Sequence, residues 1–97
     1  MEKMLMLIYN KAFGSRILDD IEKCGITCFT TIPVVYGRGS TGGPRMGTHV
    51  WPGENEMMLI VTDREKVDSV MGKVKALRKE KGGKGVKAFV MSIEDKI

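Results

Sequence analysis

Apolar positions along the chain change rhythm several times, and each change marks an element. Lys3 to Tyr9, KMLMLIY, is a nearly continuous apolar run. It is too short for an ordinary helix and predicts a strand buried on both faces. Phe13, Ile17, Leu18, Ile21 and Cys24 then recur at helical spacing and Gly25 follows at a natural stop, which predicts an amphipathic helix over Phe13 to Cys24. Asn10 or Ser15 is its candidate cap. Ile26 to Tyr36, ITCFTTIPVVY, is β-branched and aromatic and predicts a second strand, with Pro33 marking a bulge or an edge. Glu56 to Thr62, EMMLIVT, predicts a third strand. Asp63 then caps a helix whose stripe is Val67, Val70, Met71, Val74 and Leu77. Gly82 and Gly83 stop it, and Gly85 to Ile93, GVKAFVMSI, predicts a fourth strand.

The order β-α-β-β-α-β predicts an α+β ferredoxin-like sandwich: a four-stranded antiparallel sheet with two helices on one face. Residues 1–97 read as a single domain with a long loop, 37–54, between the second and third strands. Two helices cover one sheet face only, yet the first and third strands are apolar at consecutive positions and therefore on both faces. The second face needs a cover, which predicts homo-oligomerisation through it or along the sheet edges. Tyr36 to Asn55, YGRGSTGGPRMGTHVWPGEN, contains no evident strand or helix. Loops of that length are usually functional or disordered. Laid out as two arms it reaches on the order of 30 Å. Gly37 to Gly43 reads as a permissive arm leading to a mobile tip, and His49 to Asn55 as an ordered segment anchored by Trp51.

Composition narrows the chemistry. A 97-residue chain leaves little margin for a core. The net charge of +4 suits an anionic partner but is too mild to identify nucleic acid, and a phosphorylated small molecule fits equally well. Cys24 and Cys28 flank Gly25 in neither a redox nor a zinc spacing and read as reduced packing residues. The opening segment holds only six apolar residues in its longest block, short of the ~20 that span a bilayer, and the expected location is the cytoplasm. Stacking of RNA on the sheet is disfavoured, because the third strand has no aromatic residue. One His, no nucleophile elbow and no carboxylate pair make the chain a binder rather than an enzyme. Lys73, Lys75, Arg78, Lys79 and Lys81 read as a wet helix face that suits the helix C-terminal dipole.

The strand order, GITCFTTIPVVYGRG before the loop, EMMLIVTDREKVDSVMGKV after it and GGKGVKAFVMSIED at the end resemble the PII-like signalling proteins. The resemblance spans the whole chain. It implies a non-catalytic homotrimer that holds an adenine nucleotide between subunits and presents its loop to a target protein, a transporter or an enzyme. By that resemblance the nucleotide-binding residues are Gly37, Arg38, Gly39 and Ser40 at the loop base, and Gly83, Gly85 and Lys87 at a second glycine turn. Glycines let backbone N–H groups approach phosphate oxygens, and nearby cations neutralise them. Ser40 stands where the family has an arginine, and the family's Gly-Asp-Gly-Lys is not reproduced literally.

HVWPGENEMMLIVTD also resembles the tryptophan-containing approach to the third strand in the CutA-type divalent-cation-tolerance proteins, which share the fold and the trimer. That resemblance adds a second reading, in which His49 with Glu54 and Glu56 offers ligands to a divalent metal. The competing reading of His49 is a polar loop residue beside Trp51. Trp51 itself reads first as an anchor of the loop base and second as a platform for a ligand ring. No obligatory cofactor is expected.

Overall fold

The structure is a computed structural model that describes residues 2–38, 44–45 and 54–97. Its elements are β1 (Glu2–Asn10), a 3-10 turn (Lys11–Phe13), α1 (Gly14–Lys23), β2 (Thr30–Val35), β3 (Gly37–Arg38), β4 (Pro44–Arg45), β5 (Asn55–Asp63), α2 (Arg64–Glu80) and β6 (Val86–Ser92). The main sheet has the order β2-β5-β1-β6 with every neighbouring pair antiparallel, the ferredoxin-like arrangement. β3 and β4 form a separate two-stranded ribbon.

Register explains the core. Leu5 lies opposite Ile60 and Val90, and Leu7 opposite Met58 and Ala88, so these side chains share one face. Ile17 and Ile21 of α1 and Val67, Val70, Val74 and Leu77 of α2 close over that face and are buried with it. Each such side chain contributes about 1.5–3 kcal/mol when fully withdrawn from water. Asp63 caps α2 as its sequence position predicts, accepting from Lys66 N–H at 2.9 Å.

The opposite face repeats the alternation with apolar residues. Met4, Met6 and Ile8 of β1 stand beside Val61, Leu59 and Met57 of β5, and Phe89 and Met91 of β6 extend the row. Among the described residues no helix lies over them, and Phe89 is 48% exposed. The uncovered apolar face expected from the first and third strands is therefore present in the single chain.

Several local expectations change. The second strand begins at Thr30 rather than Ile26, because Ile26 N–H donates to Ile21 O at the end of α1 and the Ile26 side chain turns into the core. A register shift between Ile32 and Val35 marks the irregularity expected at Pro33. Asn10 caps the 3-10 turn through Ala12 N–H, while Ser15 lies inside α1 and caps nothing. Leu18 is 38% exposed, whereas Asp20 is buried in the stripe in its place, at 6% exposure. Arg16 sits 3.4 Å from Asp20 and 3.0 Å from Glu80, tying α1 to the end of α2. The loop is not free of regular structure, since Gly37 and Arg38 pair with Arg45 and Pro44. Gly39, Ser40, His49 and Trp51, with the expected mobile tip and Trp51 anchor, lie outside the described residues.

Candidate functional site

The second glycine turn is built to a fixed shape. Lys81 ends α2, and Gly82, Gly83 and Gly85 all adopt positive φ, between 78 and 87°. Gly83 N–H donates to Arg78 O at 2.8 Å, and Arg78 Nε donates back to Gly83 O at 3.0 Å. Asn10 N–H donates to Gly85 O at 2.9 Å, which pins the turn to the end of β1. Gly85 carries a further demand, because a Cβ there would lie 2.7 Å from Phe13 Cε2. Phe13 in turn lies under Lys81, whose Nζ is 5.3 Å from the ring centroid. Lys84 is exposed beyond this frame, and Lys87 is exposed on β6 opposite Ile8, on the uncovered face.

The first glycine segment differs. Gly37 has no positive φ, and a Cβ there would meet nothing within 4 Å. Among the described residues nothing around Gly37 requires a glycine. Arg38, beside it, is exposed.

Topology decides how the two segments relate. Asn55 pairs with both Val35 and Asn10, and Tyr9 pairs with Val86, so both segments lie at one end of the sheet. They leave from opposite edges, β2 and β6. Three strand spacings of 4.7–4.9 Å separate those edges by about 14 Å. Within one chain the fold aligns the segments without joining them, and a single phosphate group cannot touch both.

The glutamates of the metal reading have other neighbours. Glu54 O accepts from Lys11 N–H at 3.0 Å. Glu56 Oε1 lies 3.0 Å from where a Cβ on Gly14 would sit, at the start of α1. That helix start has no side-chain cap and no acidic residue in its first turn. The Glu56 carboxylate thus faces the positive end of the helix dipole. It also stands beside Tyr9, whose phenol is pushed up to about 12, first by burial and then by Glu56. Among the described residues no group of three or more His, Cys, Asp or Glu is placed to hold a metal.

Sequence reasoning missed one concavity. Because Thr30 is the first residue of β2 to pair, Gly25–Cys28 diverge from Val61 and Thr62 and leave a crevice of about 100 Å3 beside Lys66. Its only sequence signal is Gly25, which ends α1 with positive φ. Phe13 was legible as an apolar position at helical spacing, although it closes the 3-10 turn and α1 begins one residue later, and its packing on Gly85 depends on residues far apart in sequence.

An antiparallel ferredoxin-like sheet with one bare apolar face, a ribbon leaving its edge strand and a braced glycine turn at the same end define a small PII-like signalling domain. The chain belongs to the nitrogen regulatory protein P-II family, whose model matches residues 2–97. No match was found among curated proteins. Among solved structures the chain is similar to CPII, a nitrogen regulatory PII-like protein from Thiomonas intermedia K12 bound to ADP, AMP and bicarbonate. That similarity has a TM-score of 0.80 at 19% identity and covers 95% of this chain and 85% of that one. The apo form of CPII gives a TM-score of 0.74 at 15% identity, over 95% of this chain and 88% of that one. A DUF3240 family protein from Shewanella baltica OS155 gives 0.73 at 16% identity, over 98% and 92%. Likenesses at these identities establish the fold.

Proposed function

We propose that this protein is a non-catalytic trimeric PII-like regulator that binds a small anionic effector, an adenine nucleotide, in clefts between subunits. Occupancy is relayed to a target protein, a transporter or an enzyme, through the loop 37–54. The observation that carries this reading is the placement of Gly37–Arg38 and Gly83–Gly85–Lys87 at one end of the sheet on opposite edges. A head-to-tail ring sets the β2 edge of one subunit beside the β6 edge of the next and brings the two segments together. The bare apolar face supplies the driving force for such a ring, since exposed patches of several hundred Å2 are rare on stable monomers. CPII, bound to ADP, AMP and bicarbonate, supports the choice of ligand class.

In this arrangement Gly37 and Arg38 of one subunit face Gly83, Gly85 and Lys87 of its neighbour, and Gly39 and Ser40 are assigned to the same site as the next residues of the chain. Backbone N–H groups and the two cations neutralise the phosphates. Ligand contact at Gly37 and Arg38 holds the start of the β3–β4 ribbon, and the change in the loop follows as an order–disorder switch.

Titration calorimetry with AMP, ADP, ATP and cyclic nucleotides tests binding, and absence of heat with all of them removes the reading. Arg38→Ala and Lys87→Ala are each expected to weaken binding about ten-fold or more, the scale of a lost charge-assisted contact. Refolding the two variants together recreates clefts in which both cations are intact. Recovery of tight sites on mixing supports the inter-subunit cleft, and none is expected if each chain holds its own ligand.

A further inference from the structure

We propose that the C-terminal half of α2 and the turn after it form a docking surface for an anionic lipid membrane. This goes beyond the effector site, because the cations that carry it, Lys75, Lys79 and Lys84, are not among the residues assigned to the nucleotide. Between residues 73 and 84 six lysines and arginines accompany one carboxylate, Glu80. The local balance is therefore +5 against +4 for the whole chain, and the remaining residues together carry −1. The charge excess of the protein is thus confined to one segment, the C-terminal half of α2 and the turn after it.

Lys75, Arg78 and Lys79 stand at i, i+3 and i+4 on α2, and all three are exposed. The buried stripe of Val67, Val70, Val74 and Leu77 occupies the opposite side of the helix. Lys84 adds a further exposed cation in the turn. Elsewhere on the helices cations meet carboxylates: Arg16 meets Glu80 at 3.0 Å, Lys23 meets Asp19 at 2.9 Å and Arg64 meets Asp68 at 3.2 Å. Glu80 is thereby engaged from α1, and among the described residues no carboxylate lies within 4 Å of Lys75, Lys79 or Lys84. Lys75 and Lys79 of the wet face expected from the sequence are thus uncompensated, whereas Lys81 lies 3.9 Å from Glu80.

The chemistry favours lipid over nucleic acid. The segment contains five lysines, one arginine and no aromatic residue, so it offers no platform for stacked bases. Its arginine spends Nε on Gly83 O. Clusters of four to eight basic residues on a helix are the usual electrostatic footprint for acidic phospholipid, at about 1 kcal/mol per Lys or Arg near the surface. The helices also lie on the sheet face opposite the bare apolar one, so association through that face leaves the cations of every subunit pointing outward.

Co-sedimentation of the full chain with phosphatidylcholine vesicles, with and without phosphatidylserine, tests the proposal. Binding is expected only with phosphatidylserine, and it is lost between about 50 and 500 mM salt as the charges are screened. Lys75→Gln/Lys79→Gln is expected to lower partitioning about 30-fold, from about 1 kcal/mol for each charge. Lys75→Glu/Lys79→Glu abolishes it, while melting temperature and nucleotide heats stay as in the wild type. Absence of binding to phosphatidylserine vesicles at low salt overturns the proposal, as does equal binding by both double variants. Tighter binding to a single-stranded oligoribonucleotide than to vesicles at the same salt also overturns it, in favour of a nucleic-acid partner.

Discussion

Replacing Gly85 by alanine asks two things of the chain at once. The residue has φ of +87°, a conformation that costs an L-residue about 1–2 kcal/mol. The new methyl would also lie 2.7 Å from Phe13 Cε2 and 3.3 Å from its Cζ. The first distance is not tolerable for carbon and the second is tight, and Phe13 is held by the core on one side and by Lys81 on the other. Overpacking of this kind costs a further ~1–3 kcal/mol. The expected loss is therefore about 2–5 kcal/mol. Gly82→Ala is the internal control, because its φ is +78° but a Cβ there meets nothing within 4 Å. It should lose only the backbone part, about 1–2 kcal/mol. Urea unfolding without ligand, at one fixed protein concentration, measures both, since oligomer stability depends on concentration. A cycle with Phe13→Ala isolates the steric part, and the double variant should recover about 1–3 kcal/mol relative to additivity. Gly85→Ala no less stable than Gly82→Ala, or an additive cycle, would refute the packing argument. It would leave Gly85 to the ligand alone.

Tyr9 should titrate at about 12 in the folded protein, against 10.0 for an ordinary tyrosine. The raised value means that the fold favours the neutral phenol, so this contribution to stability is complete below pH 10 and is lost as pH rises through about 12. Phenolate absorbance in a Tyr36→Phe background reads it directly, and Glu56→Gln should bring the Tyr9 value down. Asp63→Ala removes the acceptor for Lys66 N–H and should cost about 1 kcal/mol in urea unfolding. No change there would mean that the cap adds nothing to α2. Met6→Glu sets a charge between Leu59 and Phe89 at the middle of the bare face. Sedimentation velocity should show the proposed trimer for the wild type and dissociated subunits for that variant, and an unchanged distribution would place the subunit interface elsewhere.

Legibility followed sequence distance. The capping of α2 by Asp63, the buried stripe of α2 and the ends of both helices at glycine were readable, because each is set within a turn or two of chain. Ile26 was misplaced in a strand because its N–H answers to Ile21 O and its side chain to the core. Propensity alone does not see either demand. Leu18 and Asp20 exchanged roles for a similar reason, since the tie from Arg16 across to Glu80 lies in the packing of α1 on α2. Pairing of Gly37–Arg38 with Pro44–Arg45 was hidden by strands of two residues each, too short to carry a period.

Hydrophobic period and turn residues in the chain alone determined the kind and order of its elements, its ferredoxin-like class and the presence of a second apolar sheet face. Those properties are local or follow from alternation along single strands. Strand order and register were needed to place Gly37–Arg38 and Gly83–Gly85–Lys87 at the same end on opposite edges, to set Phe13 against Gly85 and to turn Glu56 toward the start of α1. Such relations join residues far apart in the chain, and only the closed packing of sheet and helices brings them within reach of one another.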